Sequence, residues 1–338
     1  MKQILPTELI GSYALPGWFC FFIERMEMNP NLGETDVREA LEDAASIAIV
    51  DQQRAGIDVL TDGEMRRRDF IQSFYSLICG LKRLPPARKL GAAGYDQNPR
   101  YRVTQRIDAP RGLGIADEVA FLKKHSDRPF KVCVPGPITL SLPLLVDGVY
   151  DDRAGLVDDM VRIVNAEMKA LVAAGADYLQ VDEPRYATTR EDARRLIDVF
   201  NRTRRGVDAK VGLHFCFGNF KGRSRDRRDY RYIMPNLGGA DCQQFNFKFA
   251  NREFAQVELL AEVPKGAKVG VGVVDVKSYF VETPEQVADS IRLAMRYVEP
   301  QRIVVTPDCG FNHCPRHVAV AKMRSMVEGA GIVRKELS

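Results

Sequence analysis

The sequence has little of several residue types, and each shortage limits what the protein can be. Its 338 residues include only 7 cysteines, 4 histidines and 1 tryptophan. Cysteine at this density excludes a disulfide-stapled scaffold and favours reduced thiols. No run of about 18 apolar residues is available to span a membrane, and the apolar run before Pro6 is too short for a signal peptide. We therefore expect a cytoplasmic protein without a membrane partner.

The chain also lacks a strong excess of charge of one sign. Lysine and arginine number 49 against 45 aspartates and glutamates, which gives a net charge of +4. This excess is small and mixed along the chain, so nucleic acid is not an expected partner. With 45% hydrophobic and 28% charged residues, the chain has the composition of a globular protein with a large core.

Short β-rich segments alternate with longer amphipathic segments, a pattern typical of βα units around a parallel sheet. The predicted strands are 7–12, 57–63, 130–136, 177–183, 210–216, 241–247, 268–276 and 302–309. Eight strands, each followed by a helix, predict an α/β fold: a single (β/α)8 TIM barrel that covers residues 1–338. An open doubly wound sheet is the alternative. It is disfavoured because no convincing GxGxxG opens a first helix, and GVGVV at 270–274 lies within a predicted strand.

The amphipathic segments predict helices whose ends carry recognisable capping residues. The main predicted helices cover 37–56, 154–175, 190–203, 283–298 and 316–331. Thr283 followed by Pro284 marks a helix start, and Gly56, Gly175 and Gly331 stand where helices are expected to end. The segment from about 70 to 129 is longer than one connection needs, so we expect an insertion there, a hairpin or lid around 101–107.

Polar side chains are concentrated where the predicted strands end. In strand order they are Ser12, Asp62, Glu64, Thr139, Asp182, Glu183, His214, Cys216, Asn246, Lys248, Asp275, Lys277, Asp308 and Cys309. A single Asp or Gly after a strand is also an ordinary turn or cap residue. In a barrel, however, the carboxyl ends of all strands meet at one rim, where active sites lie. The whole set therefore predicts an active site at this rim.

Three of these residues form a candidate metal site. His214 and Cys216 lie two residues apart on a strand and share a face, and Cys309 reaches the same rim from the last strand. Two thiolates and one imidazole suit Zn²⁺ with an open fourth position. The spacing lacks the specificity of paired CxxC motifs, so from the residues alone buried, inert cysteines are favoured over a metal site.

Seven short motifs, in order, resemble those of the cobalamin-independent methionine synthase family, including its short, barrel-only members. They are IGSY (10–13), DGEMRR (62–67), VPGPIT (134–139), QVDEP (180–184), HFC (214–216), GVGVVDVKS (270–278) and PDCG (307–310). The resemblance implies that His214, Cys216 and Cys309 bind Zn²⁺. It also implies that Ser12, Glu64 and Asp182 line a pocket for a thiol substrate.

The expected roles follow from this resemblance and from the positions at the rim. We assign catalytic roles to Lys277, Asp182 and Glu64, and substrate binding to Ser12, Asp62, Glu183, Asn246, Lys248 and Arg67. The implied partners are a small thiol and an alkyl or methyl donor such as a folate. A homo-oligomer is compatible with the sequence.

Two residues depart from the family pattern. Lys248 stands where the methionine synthases supply a glutamate ligand to zinc, and Lys277 stands where they have a histidine that acts as the acid. A zinc site with two thiolates and one imidazole has a net charge of −1 once the substrate thiolate binds, whereas an added glutamate ligand would make it −2. The substrate sulfur is therefore less electron-rich. This ligand set, without the glutamate, resembles that of the epoxyalkane:coenzyme M transferases. Arginines at 66–68 and in 221–232 offer positive charge for an anionic substrate group.

The resemblance therefore predicts zinc-dependent S-alkylation of a thiol, most like that of 5-methyltetrahydropteroyltriglutamate–homocysteine S-methyltransferase. Three alternatives stay open. The first is thiol alkylation of the epoxyalkane:coenzyme M transferase type. The second is a lyase or hydrolase with Asp62, Glu64 or Asp182 as base and Lys277 as acid. The third is a barrel that binds a ligand without catalysis, with a degraded metal site at Lys248.

Overall fold

The computed structural model describes residues 3–26, 32–67, 70–85, 99–188, 192–218 and 228–338. Within these residues the strands are β1 (Cys79–Leu84), β2 (Arg100–Asp108), β3 (Val132–Pro135), β4 (Leu145–Val146), β5 (Tyr178–Asp182), β6 (Lys210–His214), β7 (Gln244–Phe247), β8 (Lys268–Val274) and β9 (Ile303–Pro307). The α-helices are α1 (Gly17–Met26), α2 (Glu34–Ala55), α3 (Gln72–Tyr75), α4 (Ala116–His125), α5 (Pro137–Ser141), α6 (Arg153–Ala173), α7 (Ala193–Arg204), α8 (Pro284–Met295) and α9 (Arg316–Glu336).

Six strands form a parallel sheet in the order β3-β5-β6-β7-β8-β9. Three parallel bridges close this sheet into a barrel: Val305 to Thr7, Glu8 to Val59, and Leu60 to Phe130. The predicted (β/α)8 barrel is thereby confirmed. The first two predicted strands were too long, because only Thr7–Glu8 and Val59–Leu60 pair with their neighbours.

Each barrel strand is buried on both faces, as expected for a parallel sheet covered by helices. In β5 all five residues are buried. Leu179 and Val181 lie in the hydrophobic core. Gln180 and Asp182, on the opposite face, make hydrogen bonds inside the barrel. Because the side-chain period of a strand is 2, this alternation aims every second residue at the barrel axis.

A buried ion pair lies inside the barrel below the rim. Lys131 Nζ is 3.1 Å from Glu8 Oε1 and donates a hydrogen bond of 2.7 Å to Gln180 Oε1. Glu8 also accepts hydrogen bonds from Tyr178 and Gln244. These contacts satisfy both charges in a region without solvent access, so they hold neighbouring strands in one arrangement.

The helix ends mostly follow the predicted caps. Thr283 and Gln286 form a reciprocal capping box on α8, and Gly56 ends α2 at φ +88°. Gly331 does not end α9 as expected. The helix continues to Glu336 because Val333 is fully buried and anchors the last turns against the core. Within the described residues no helix is long and apolar enough to cross a membrane.

The expected insertion contains a hairpin. β1 and β2 pair antiparallel, and β4 adds in parallel to β2. Ion pairs from Arg106 to Asp159 (3.1 Å) and from Arg162 to Asp108 (2.9 Å) fasten the hairpin to α6. Residues 86–98, between the two strands, lie outside the described residues.

Candidate active site

The three candidate metal ligands converge at the carboxyl end of the barrel. His214 ends β6, Cys216 follows it by two residues, and Cys309 follows β9. One imidazole nitrogen and the two sulfur atoms all lie within 4.8 Å of one another. Cys216 Sγ and Cys309 Sγ are 3.4 Å apart. Tertiary structure therefore joins two thiols 93 residues apart in sequence.

The imidazole of His214 is oriented by a carboxylate behind it. Its Nδ1 lies 2.8 Å from Asp182 Oδ1, and Gln180 Nε2 donates a 2.8 Å hydrogen bond to the same oxygen. The partner of Nδ1 identifies it as the protonated nitrogen. Nε2 is buried and has no hydrogen-bond partner among the described residues. Such an arrangement leaves one imidazole lone pair available to a ligand, as in carboxylate–histidine–metal units.

The two thiols have opposite acid-base properties. A hydrogen bond from Cys309 lowers the pKa of Cys216 well below its ordinary value, despite burial, and His214 and Lys248 add to the effect. The same contact raises the pKa of Cys309. Burial lowers the pKa of His214, but Asp182 and Cys216 outweigh it and raise the value to about 9. Each of these two shifts favours the charged form of its group, the thiolate of Cys216 and the imidazolium of His214.

This donor set fits zinc. Zn²⁺ takes imidazole nitrogen and thiolate sulfur in tetrahedral sites, and catalytic zinc sites in proteins have three protein ligands and one open position. The orphaned Nε2 of His214 and the close sulfur pair are what such a site needs. Hard cations such as Mg²⁺ prefer oxygen ligands, which this group does not supply.

A carboxylate-rich wall stands beside the thiols. Glu64 Oε2 accepts a 2.7 Å hydrogen bond from Ser12 Oγ, and Asp62 Oδ1 accepts one from the Glu64 backbone N–H. Asp62 Oδ2 is buried and has no hydrogen-bond partner among the described residues. Burial raises the pKa of Glu64, and Asp182 adds to the increase, while Arg67 opposes it. Glu64 also has a left-handed backbone, φ +57°, which is unusual for a residue with a side chain and typical of functional sites.

Arg67 supports this wall through internal contacts. Its guanidinium makes a bidentate pair with Glu118, at 2.8 and 2.7 Å, and donates to the Cys133 carbonyl. It also lies 3.3 Å from Glu64 Oε1. These contacts indicate that the buried Arg67 positions Glu64. Its Nη1 has no hydrogen-bond partner among the described residues, and the expectation that Arg67 binds substrate stays a prediction.

Two further expected substrate ligands are also committed to internal contacts. Glu183 accepts hydrogen bonds from Ile138 N–H and from the N–H and hydroxyl of Thr139, at the start of α5. Asn246 lies between Gln180 and Gln244 inside the barrel. Both residues are fully buried, so they support the walls of the site.

Lys248 and Lys277 follow the neighbouring barrel strands β7 and β8, at the same rim as the thiols. Lys248 is fully buried, and both Nζ atoms lack a hydrogen-bond partner among the described residues. Burial acts to lower the pKa of Lys248, but Asp308, Cys216 and Cys309 outweigh it and raise the pKa. Burial lowers the pKa of Lys277 to about 8, and the neighbouring Lys248 adds to this.

Two more residues shape the site: Cys133, which the sequence analysis did not single out, and Asp308, which it placed at the rim without a role. The sulfur of Cys133 lies within 4.8 Å of a carboxylate oxygen of Glu64 and of Asp182. Asp308 accepts backbone N–H bonds from Phe249, Ala250 and Asn251, which ties the PDCG turn to the loop after Lys248. The strand period predicts an inward side chain for Cys133. No local signal identifies the partners of Asp308.

The arginine-rich segments expected to hold an anion are only partly described. Arg68 and residues 221–227 lie outside the described residues. Arg66 lies against α4, with its guanidinium 4.3 Å from the centroid of the Phe121 ring. It is therefore separate from the rim residues around His214.

The fold and the site define a parallel α/β barrel whose rim carries one imidazole and two thiols beside a carboxylate wall. The chain belongs to the cobalamin-independent methionine synthase family, because the family described as "Cobalamin-independent synthase, Catalytic domain" matches residues 5–332. The resemblance recognised in the sequence motifs is thereby confirmed.

Relatives and solved structures agree with this assignment. The methionine synthase of Sulfurisphaera tokodaii is 34% identical over 335 residues, which cover 99% of this chain and 94% of the relative. The methionine synthase of Sulfolobus acidocaldarius is 36% identical over 335 residues, with the same coverage of both chains. A B12-independent methionine synthase from Shewanella sp. W3-18-1, solved with selenomethionine, has a TM-score of 0.84, 27% identity and 99% coverage of both chains.

Proposed function

We propose that this protein is a zinc-dependent transferase that alkylates a small thiol, with methyl transfer to homocysteine as the leading reaction. The observation that carries the proposal is the convergence of His214, Cys216 and Cys309, whose donor atoms lie within 4.8 Å. The methionine synthases among its relatives support the choice of thiol and of transferred group.

The chain's own residues prepare the metal-binding group. Asp182 holds Nδ1 of the His214 ring, which leaves the buried Nε2 available to a ligand. A zinc ion bound there would lower the pKa of a coordinated substrate thiol and keep its sulfur nucleophilic. Gln180 in turn holds Asp182, so the ligand geometry is supported from inside the barrel.

The carboxylate wall suits the amino group of an amino-acid thiol. Asp62 Oδ2 has no hydrogen-bond partner among the described residues, and Glu64 and Asp182 lie beside it. An ammonium group needs such acceptors. The Shewanella relative was solved with selenomethionine, the selenium analogue of methionine, which supports an amino-acid ligand in this family.

Lys277 is the candidate proton donor. In a transfer reaction a carbon–sulfur bond forms, and the carbon's bond to its leaving atom breaks with the electron pair. That atom then needs a proton or a positive charge. The Lys277 ammonium faces the site without an internal acceptor, and its pKa of about 8 suits proton donation near neutral pH.

A second candidate function uses the same thiol with a more reactive electrophile. The observation that favours it is Lys248, a buried cation. A carboxylate ligand to zinc at this position would make the substrate sulfur more electron-rich, and a lysine does not. A less electron-rich sulfur is better suited to a strained electrophile such as an epoxide, whose opened oxygen would take its proton from Lys277. An assay with homocysteine and a methyl-folate, and with epoxides as alternative electrophiles, separates the two functions.

Metal analysis tests the proposal directly. We expect one zinc per chain, lost in His214→Ala and in Cys309→Ser, and retained in the control Cys79→Ser, whose thiol is exposed on the hairpin. Zinc-edge X-ray absorption should then show one added sulfur ligand when homocysteine is supplied.

Other outcomes identify the alternatives. A chain that binds no zinc and keeps reduced, chelator-insensitive thiols would overturn the proposal. Activity that survives zinc removal but is lost in Lys277→Met would indicate a lyase or hydrolase. Tight ligand binding without turnover would indicate a binding protein.

A further inference from the structure

Lys248 is a buried cation whose Nζ has no hydrogen-bond partner in the part of the chain that the structure describes. Its side chain has no solvent exposure, and its nearest carboxylate oxygen, Asp308 Oδ2, is 3.9 Å from Nζ. That carboxylate is already engaged, because its two oxygens accept three backbone N–H bonds from the loop after Lys248. An ammonium carries three N–H donors, and leaving them all unmet in a buried position is costly.

Lys277 repeats this situation on the neighbouring strand. Its Nζ is buried and has no hydrogen-bond partner among the described residues. The nearby Asp275 is also engaged, since it accepts the Lys277 backbone N–H through Oδ1 and the Asn251 amide through Oδ2. The described part of the chain therefore brings two ammonium groups together and gives neither an acceptor.

Both ammonium groups face the thiols. Electrostatic interaction with Cys216 and Cys309 acts on each of them, and the two lysines repel one another. Glu64 and Asp182 of the carboxylate wall are engaged elsewhere, because Glu64 interacts with Ser12 and Arg67, and Asp182 with Gln180 and His214. A ligand of opposite charge would relieve the repulsion between the two lysines and accept their unmet N–H bonds.

We propose that Lys248 and Lys277 form an anion subsite next to the thiols that binds a carboxylate or sulfonate group of a substrate. The inference rests on the proposed function, because it specifies a substrate of the same site. The anion belongs either to the thiol substrate or to the second substrate. Oxyanions of both kinds offer acceptors in the geometry that two ammonium groups require.

Three thiols of similar length test the subsite. The probes are neutral 3-mercaptopropan-1-ol and its anionic counterparts 3-mercaptopropionate and 3-mercaptopropane-1-sulfonate. Binding is measured by titrating the Co²⁺-substituted chain and following sulfur-to-cobalt charge-transfer absorption. We expect the anionic thiols to bind about tenfold more tightly than the alcohol, as a charge-assisted hydrogen bond would give.

Variants show whether the preference comes from the lysines. In Lys248→Met and Lys277→Met the preference should fall to about twofold or less, whereas Lys265→Met, at an exposed lysine, should keep it. Differences in intrinsic acidity among the thiols affect wild type and variant equally, so they do not change the comparison between the two chains. Circular dichroism reports whether Lys248→Met folds. Lys277→Met decides the question if it does not, since Lys277 is only partly buried.

A second titration identifies the source of the anion. Propionate and ethanesulfonate, which have no thiol, are titrated calorimetrically into the metal-free chain and into the cobalt chain saturated with the neutral thiol. Binding in the presence of the neutral thiol assigns the anion to the second substrate. Competition with the anionic thiols alone assigns it to the thiol substrate.

The inference and the proposed function fail in different ways. If the chain binds no metal, the proposed function fails, while binding of ethanesulfonate that is lost in Lys277→Met still supports the subsite. If metal and homocysteine bind but no probe shows an anion preference, the subsite is wrong and the function stands. A preference that persists in both lysine variants also overturns the subsite.

Discussion

His214 Nδ1 and Asp182 Oδ1 lie 2.8 Å apart, on adjacent strands at the same level of the barrel. This contact leaves Nε2 as the imidazole nitrogen available to a ligand. Because Asp182 is buried and holds the protonated nitrogen, it controls both the tautomer and the orientation of His214.

Replacing this carboxylate should weaken metal binding. We expect Asp182→Asn to lower zinc affinity by about 10- to 100-fold, the usual effect of losing a carboxylate behind a ligating histidine. Competition with a chromophoric chelator measures the affinity. The control Asp177→Asn changes an exposed carboxylate on the same segment and should leave the affinity unchanged. Equal affinities in the two variants would contradict the role given to Asp182.

Glu64 is expected to recognise the amino group of the thiol substrate. In Glu64→Gln the affinity for homocysteine should fall by about tenfold or more, because an ammonium loses a charged acceptor. The affinity for 3-mercaptopropionate, which has no amino group, should change little. Glu39→Gln, at an exposed position of α2, is the matched control. A similar loss for both thiols would show that Glu64 does not recognise the amine.

The ion pair between Lys131 and Glu8 should show strong coupling in a double-mutant cycle. Lys131→Met leaves the Glu8 carboxylate buried without its cation, so we expect a loss of about 3–5 kcal/mol in the free energy of unfolding. Adding Glu8→Leu should recover much of this loss. Urea denaturation of the four chains gives the coupling. Additive losses would indicate that the two charges act independently.

The capping box of α8 should affect stability alone. Thr283 Oγ1 accepts the Gln286 N–H, and Gln286 Oε1 accepts the Thr283 N–H. Thr283→Ala removes the first of these bonds, so it should cost about 1 kcal/mol. Urea denaturation measures this loss, and zinc affinity measured in parallel should stay at the wild-type value. A change in zinc affinity would mean that α8 affects the site.

Lys210 should make stability depend on pH. Burial lowers its pKa to about 8 from 10.5; Glu8 opposes the shift, while Lys131 and Lys268 add to it. Below pH 8 both the folded and the unfolded chain carry this proton, and the folded chain bears the cost of a buried charge. Between about pH 8 and 10.5 the unfolded chain binds more protons, so the contribution of Lys210 to stability rises with pH.

Denaturation at several pH values isolates this contribution. The difference in unfolding free energy between wild type and Lys210→Met should move in favour of the wild type from pH 8 to 10, by up to about 3 kcal/mol. The same difference for the exposed Lys265→Met should stay constant. A constant difference for Lys210→Met would mean that its pKa is the same in the folded and unfolded chains.

The barrel was predictable because parallel strands buried on both faces leave a strong local pattern. β5, β6, β8 and β9 all lie within predicted segments, and the cap at Thr283 was recognised from two adjacent residues. Helix α9 was less predictable. Gly331 is a frequent helix terminator, but packing of Val333 in the core outweighs that tendency.

The site was predictable in its residue types and less so in its contacts. His214, Cys216 and Cys309 stand at strand ends, where a barrel places its chemistry. Arg67 and Glu183 stand at the same rim, yet their partners, Glu118 and the start of α5, come from elements that no local pattern connects to them. Only packing decides whether such a side chain faces a ligand or an internal partner.

The sequence by itself determined the strand and helix order, the barrel that follows from it and the set of chemical groups at its rim. These properties depend on local periodicity and on topology, which short segments encode. Tertiary structure alone decided that Cys216 and Cys309 approach to 3.4 Å, that Asp182 orients His214, and that two lysines find no acceptor among the described residues. Those relationships join residues far apart in the chain, and they exist only once the barrel closes and excludes water from its rim.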